Sequence, residues 1–185
     1  MNDMAKKFRL AIKSCMDGHA NHPKKGNTRN WDKRTPYSIH PLWCTTTFLQ
    51  ETKLSGDAKR RRTQCALALI FHDFREDTTA TLPAWLPRGV LSLIDYMTFS
   101  GEVGSTAIEI RQIWSCPKII RLLKLYDKVS NLLDGIWMSD EKWNEQYIPY
   151  VLKLASDVEK NYGDLNIVRI ARAIATLRPN HIHRA

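Results

Sequence analysis

The chain has 185 residues, 43% hydrophobic and 25% charged, which fits one soluble globular domain with a proper core and excludes a low-complexity or disordered chain. No apolar run approaches the roughly 20 residues that span a bilayer, and Met1 to Lys7 lacks the apolar stretch of a secretory leader, so a cytoplasmic protein with no membrane partner is expected. The net charge of +9 gathers at Lys6-Lys7, Lys24-Lys25, Arg29 to Arg34 and Lys59 to Arg62, and a positive field attracts nucleotides, nucleic acids or acidic partners. Taken singly, each cluster reads first as a solvated helix face.

Helical periodicity dominates, and no alternating strand series is found. A first helix is expected over residues 2–17, stopped at Gly18, and a polar loop over 18–37. Ser38 is placed to cap a helix to about Lys53, and Asp57 to cap one from Ala58 to Asp73. Further helices are expected near 83–97, 104–115, 117–134, 140–161 and 164–178, with Pro149 kinking the 140–161 helix if it is continuous and residues 179–185 a loose tail. His19 and His22 fall in the polar loop and read as solvated side chains. Cys15, Cys44, Cys65 and Cys116 form no CxxC pair and read as reduced thiols.

The chemistry centres on Phe71-His72-Asp73-Phe74-Arg75-Glu76-Asp77-Thr78. On a continuous helix Glu76 stacks over His72 and Asp77 over Asp73. Successive residues point about 100° apart, so His72 and Asp73 share one metal only in the seam between them, and other helices must close the site. His40 and Asp127 are the available partners. Two imidazoles with two carboxylates suit manganese, iron, zinc or another borderline divalent cation. Asn131, one turn past Asp127, can hydrogen-bond a substrate hydroxyl or orient the site, while Glu76 is placed to act as general base or acid toward the attacking water, with Asp77 sharing that role or holding the water.

Three segments carry a family resemblance. Arg34-Thr35-Pro36-Tyr37-Ser38-Ile39-His40-Pro41 resembles the Arg-…-Pro-Tyr-x-x-His-Pro segment of alarmone hydrolases. His72-Asp73-Phe74-Arg75-Glu76-Asp77-Thr78 resembles their His-Asp-x-x-Glu-Asp-Thr motif, and Lys124-Leu125-Tyr126-Asp127-Lys128-Val129-Ser130-Asn131-Leu132 their Lys-Leu-x-Asp-[Arg/Lys]-x-x-Asn-Leu motif. Together they span residues 34–132 in the order of the RelA/SpoT-type hydrolase domain of the HD superfamily, whose single-domain members are the small alarmone hydrolases. The resemblance implies an all-α, single-domain HD-type helical bundle over residues 1–178 around a central metal site. The implied ion is manganese first, with zinc, iron or cobalt as alternatives, held by His40, His72, Asp73 and Asp127. It implies Glu76 and Asp77 as catalytic acids, Arg34 and Asn131 as nucleotide contacts, and Tyr150, with Tyr147 as runner-up, as a further one. The implied reaction removes the 3′-pyrophosphate of ppGpp or pppGpp, with Lys128 and Arg111 as candidate holders of the departing group.

Phe74 and Arg75 stand where the family carries small or apolar residues, Tyr126 replaces the usual alanine before Asp127, and residues 95–112 give no clear match. A deoxynucleoside triphosphate or another nucleotide phosphate ester therefore stands as an alternative substrate. A reading of another class is an antitoxin-like or nucleic-acid-binding protein that uses its basic surface. Intact metal ligands weigh against a purely binding role, and nothing in the sequence specifies an oligomer.

Overall fold

The run Cys65 to Phe71 is buried at every position in the computed structural model, which describes residues 3–24, 26–99, 105–135, 138–139 and 141–177. An element apolar all round must be surrounded. The run belongs to α4 (Arg62–Phe71), which packs against α2 (Ile39–Leu49), α1 (Asp3–Asn21) and α6 (Arg88–Met97). In addition, α2 packs against α8 (Lys118–Leu133), which carries α9 (Ile148–Tyr162) and α10 (Asn166–Thr176). The short helices α3 (Gly56–Arg60), α5 (Phe74–Asp77) and α7 (Ser105–Gln112) complete the described order, and the last runs into a 3₁₀ turn at Ile113–Ser115. Among the described residues, strand pairing is confined to the isolated bridges Pro23–Thr78 and Thr28–Pro36, so the expected all-α architecture is observed there. No helix among the described residues is long and apolar enough to cross a membrane. All four cysteines are free thiols. The expected tail at 179–185 lies outside the described residues.

Several boundaries differ from the sequence expectation for local reasons. The first helix continues through Gly18 to Asn21. A Cβ at Gly18 would lie 2.3 Å from the Phe74 ring, so this glycine serves close packing and not a stop. The expected helix over 58–73 is broken at Arg61 and ends at Phe71. His72 Nδ1 donates to the Leu69 carbonyl at 2.8 Å, taking the acceptor that the next helical turn would use. Asp73 then starts α5 afresh, its carbonyl accepting from the Glu76 and Asp77 amides. Neither Ser38 nor Asp57 caps its helix as expected: Ser38 makes no side-chain cap bond, and Asp57 lies inside α3, accepting from Tyr162. The helix expected over 83–97 starts only at Arg88. The region expected as one helix over 140–161 includes a π-helical turn, Lys142–Tyr147, before α9, and Pro149 stands in the first turn of α9, where its missing donor is tolerated.

One buried carboxylate joins three elements. Glu51, 1% exposed, accepts from Tyr126 Oη on α8 at 3.1 Å and from the first amides of α10, Asn166 at 3.1 Å and Ile167 at 2.9 Å. It thereby satisfies the orphan donors of that helix start and complements its positive dipole end. Removing one partner of a buried charged hydrogen bond leaves the others unsatisfied. Glu51→Ala is expected to lower unfolding stability by about 3 kcal/mol and Tyr126→Phe by about 1 kcal/mol in denaturant titration; unchanged midpoints in both would contradict this role.

Candidate metal centre

Three helices deliver the expected quartet to one point. His40 stands at the second position of α2, His72 and Asp73 at the junction of α4 and α5, and Asp127 in the middle of α8. All four are buried, the most exposed being Asp73 at 8%. Their donor atoms lie within 4.8 Å of one another.

The closest separations have the scale of a coordination polyhedron. His40 Nε2 lies 3.1 Å from His72 Nε2, 3.0 Å from Asp73 Oδ2 and 3.5 Å from Asp127 Oδ1. His72 Nε2 lies 3.1 Å from Asp73 Oδ1 and 3.7 Å from Asp127 Oδ1. Ligands about 2.1 Å from one ion stand about 3.0 Å apart at right angles and about 3.4 Å apart in a tetrahedron. The donor set therefore fits a single divalent cation. The rings are also oriented for it. A carbonyl only accepts, so the bond to Leu69 fixes the proton on His72 Nδ1 and turns Nε2 to the centre. His40 Nδ1 is paired with Ser130 Oγ at 2.8 Å, which turns its Nε2 the same way.

The electrostatics favour ionised carboxylates at this point. Burial opposes ionisation of Asp73 and Asp127, yet His72 and His40 hold Asp73, and Lys124 and Lys128 hold Asp127, well below the usual carboxylate range. Burial likewise opposes charge on His72, but the two carboxylates raise it to about 10. Without a cation, a proton on His72 is what these carboxylates recruit.

Around the quartet stand further groups, of which the sequence analysis assigned only Lys128 and Tyr150, both to the substrate. Tyr37 Oη donates to Asp73 Oδ2 at 2.9 Å. Lys124 and Lys128 sit 3.0 and 3.1 Å from Asp127 Oδ2. Both also pair with Glu109, at 3.3 and 2.9 Å, and Tyr150 Oη donates to the other oxygen of Glu109 at 2.7 Å. Glu109 comes from the stretch 95–112 that matched no motif, and no local pattern marks it. His19 is a correction: it is not solvated in a loop but lies in α1, 3% exposed, with its ring against Tyr37 and Phe74.

The remaining candidates divide. Asn131 Nδ2 donates to Asp127 Oδ1 at 2.7 Å, as the one-turn spacing predicts, and Tyr147 bonds Asn131. Glu76 accepts from the Phe99 amide at 3.0 Å, and burial, aided by Asp73, raises its carboxyl to about 7. Asp77 is buried and bonded to Tyr37. The alignment of Glu76 over His72 and Asp77 over Asp73 on one continuous helix does not occur, because α4 and α5 are separate. Arg34 is exposed, its amide on Asp32. The buried arginine of that loop is Arg29, which donates to the Ser130 carbonyl at 2.7 Å, pairs with Asp134 at 3.3 Å and stacks over Trp31. Asp134 also receives the Asn30 and Trp31 amides, so the loop leading to Tyr37 and His40 is tied to the end of α8. Arg111 is exposed and lines an outer groove of about 590 Å³ with Trp114 and Lys153.

The departures from the family pattern point away from the quartet. Phe74 packs on Gly18, His19 and Phe71. Arg75 pairs with Asp95 at the surface. Tyr126 packs on Phe48 and donates to Glu51.

No family model matches the chain. It is 25% identical to the guanosine-3′,5′-bis(diphosphate) 3′-pyrophosphohydrolase MESH1 of Xenopus tropicalis over 150 residues, which cover 78% of this chain and 80% of the relative. A solved structure described as a metazoan ortholog of SpoT that hydrolyzes ppGpp and plays a role in starvation responses matches at a TM-score of 0.70 and 20% identity, covering 91% of this chain and 93% of that one. The chain therefore resembles MESH1 in sequence and has the fold of that solved hydrolase.

A cation that binds only the folded state stabilises it in proportion to its excess over the dissociation constant. Mn²⁺ at about 100 times that constant is expected to add about 2.7 kcal/mol, read as a rise in Tm. Asp73→Ala is expected to abolish the rise while remaining helical by circular dichroism. A variant that responds to Mn²⁺ as the parent does would exclude Asp73 as a ligand.

Proposed function

We propose that the chain is a metal-dependent phosphohydrolase that removes the 3′-pyrophosphate of ppGpp or pppGpp with one water, giving GDP or GTP and pyrophosphate. The observation that carries the reading is the buried convergence of His40, His72, Asp73 and Asp127 on one cation-sized point. The resemblance to MESH1, whose name states this reaction, supports the substrate. The donor set of two imidazoles and two carboxylates suits manganese, with zinc, iron and cobalt as substitutes. Such a cation supplies polarisation of a phosphate oxygen and lowers the pKa of water.

The chain's own groups take the other roles. Glu76 accepts the proton of the attacking water as the water oxygen bonds to the 3′-linked phosphorus and the bond to the ribose oxygen breaks, and that oxygen takes up a proton to become the 3′-hydroxyl of the product. Its carboxyl, raised to about 7, matches the proton affinity a base needs near neutral pH. Asp77, bonded to Tyr37, shares that role or holds the water. Asn131 and Tyr150 contact the nucleotide, Arg34 reaches it from the exposed loop, and Lys128 offsets charge on the departing pyrophosphate. A cytoplasmic location agrees with four free thiols. The partner is a nucleotide, and nucleic acid is not favoured.

Glu76 must be unprotonated to act, so kcat is expected to fall as pH drops through about 7. Glu76→Gln is expected to lose that limb and at least about 100-fold in kcat while still binding Mn²⁺. The decisive assay incubates Mn²⁺-loaded protein with ppGpp and with each dNTP and resolves the products. GDP and pyrophosphate from ppGpp are expected; triphosphate from a dNTP with ppGpp untouched would overturn the proposal.

A further inference from the structure

Behind Asp127 lies a layer of buried charge in which the reaction as proposed gives no role to Lys124 or Glu109. Lys124 is 3% exposed, Lys128 8%, Glu109 4% and Tyr150 3%. Burying one charged side chain costs several kcal/mol unless partners compensate, and here three are buried together, the two lysines within hydrogen-bonding reach of Asp127. The two lysines clamp the Oδ2 atom of Asp127 at 3.0 and 3.1 Å, leaving Oδ1 to face His40 and His72. Glu109 Oε2 holds both ammonium groups, and its Oε1 is fixed by the Tyr150 hydroxyl.

We propose that Glu109 is a positioning and charge-setting residue of the metal centre, acting through Lys124 and Lys128 on Asp127. The charge balance gives the reason. A divalent cation neutralises Asp73 and Asp127, and two lysines against Glu109 leave one net positive charge behind the site. Without Glu109 there are two. Two uncompensated ammonium groups repel an incoming cation and draw electron density from Asp127 Oδ2, so the cation binds more weakly. The same excess charge attracts a polyphosphate, so pyrophosphate binds more tightly and leaves more slowly. Glu109 thus trades anion grip for cation grip, and its removal moves the two affinities in opposite directions. Simple damage to the site would weaken both.

This inference rests on the metal-hydrolase reading, but its test needs no turnover. Mn²⁺ affinity is measured by electron paramagnetic resonance titration, and pyrophosphate affinity by calorimetry on the Mn²⁺-loaded protein. Glu109→Gln is expected to raise the Mn²⁺ Kd about tenfold and to lower the pyrophosphate Kd about threefold or more. Mn²⁺ affinity within twofold of the parent, or both affinities weakened together, overturns the inference. Should Glu109→Gln fail to fold, Tyr150→Phe removes the hydroxyl that fixes Glu109 and keeps the ring assigned to the nucleotide; a smaller shift of the same two signs is expected, and no shift overturns the inference. A parent protein that binds no Mn²⁺ would instead sink the metal-hydrolase reading itself.

Discussion

Two carboxylates and two imidazole nitrogens, buried side chains whose closest donor atoms lie 3.0 to 3.7 Å apart, repel one another unless a positive charge sits among them. Apolar packing does not offset that repulsion; only a proton or a cation does. The bundle maintains the crowding by packing α4, apolar on every face, between α1, α2 and α6, and by setting α8 across α2. The ligands are thereby fixed by helices whose positions the core determines, and a site built on packed helices holds its geometry better than one on loops.

Each ligand is oriented by a partner that has little freedom of its own. The Leu69 carbonyl turns His72, Ser130 turns His40, Tyr37 holds Asp73, and the lysine pair holds Asp127. The bond from His72 to Leu69 has a second effect, since it ends α4 and lets α5 start in a new direction with Glu76 and Asp77. Helix termination and ligand orientation here come from one hydrogen bond. A similar economy ties the loop of residues 27–37 to α8, where Arg29 and Asp134 anchor the approach to Tyr37 and His40.

The quartet was legible in the sequence because metal chemistry demands particular residue types and because the three segments keep their order. Asn131 was legible from its one-turn spacing to Asp127. Glu109 was not, because a lone glutamate on a short helix acquires meaning only from lysines on another helix, and sequence separation hides that meeting. Arg29 was hidden within a basic cluster that reads as solvent-facing, and only tertiary packing distinguishes it from exposed Arg34. His19 was misread because Gly18 looks like a stop; the glycine is there for the Phe74 ring, and the helix carries His19 into the core. The bulky Tyr126 was one of the departures that kept another substrate open, yet successive helical residues diverge by about 100°, and its ring leaves toward Glu51.

The most direct test of the account is diffraction from crystals soaked in Mn²⁺, collected at the manganese absorption edge. The account predicts one anomalous peak bonded at once to His40 Nε2, His72 Nε2, an Asp73 oxygen and Asp127 Oδ1. A peak elsewhere, or a centre that stays free of metal at saturating Mn²⁺, would contradict it.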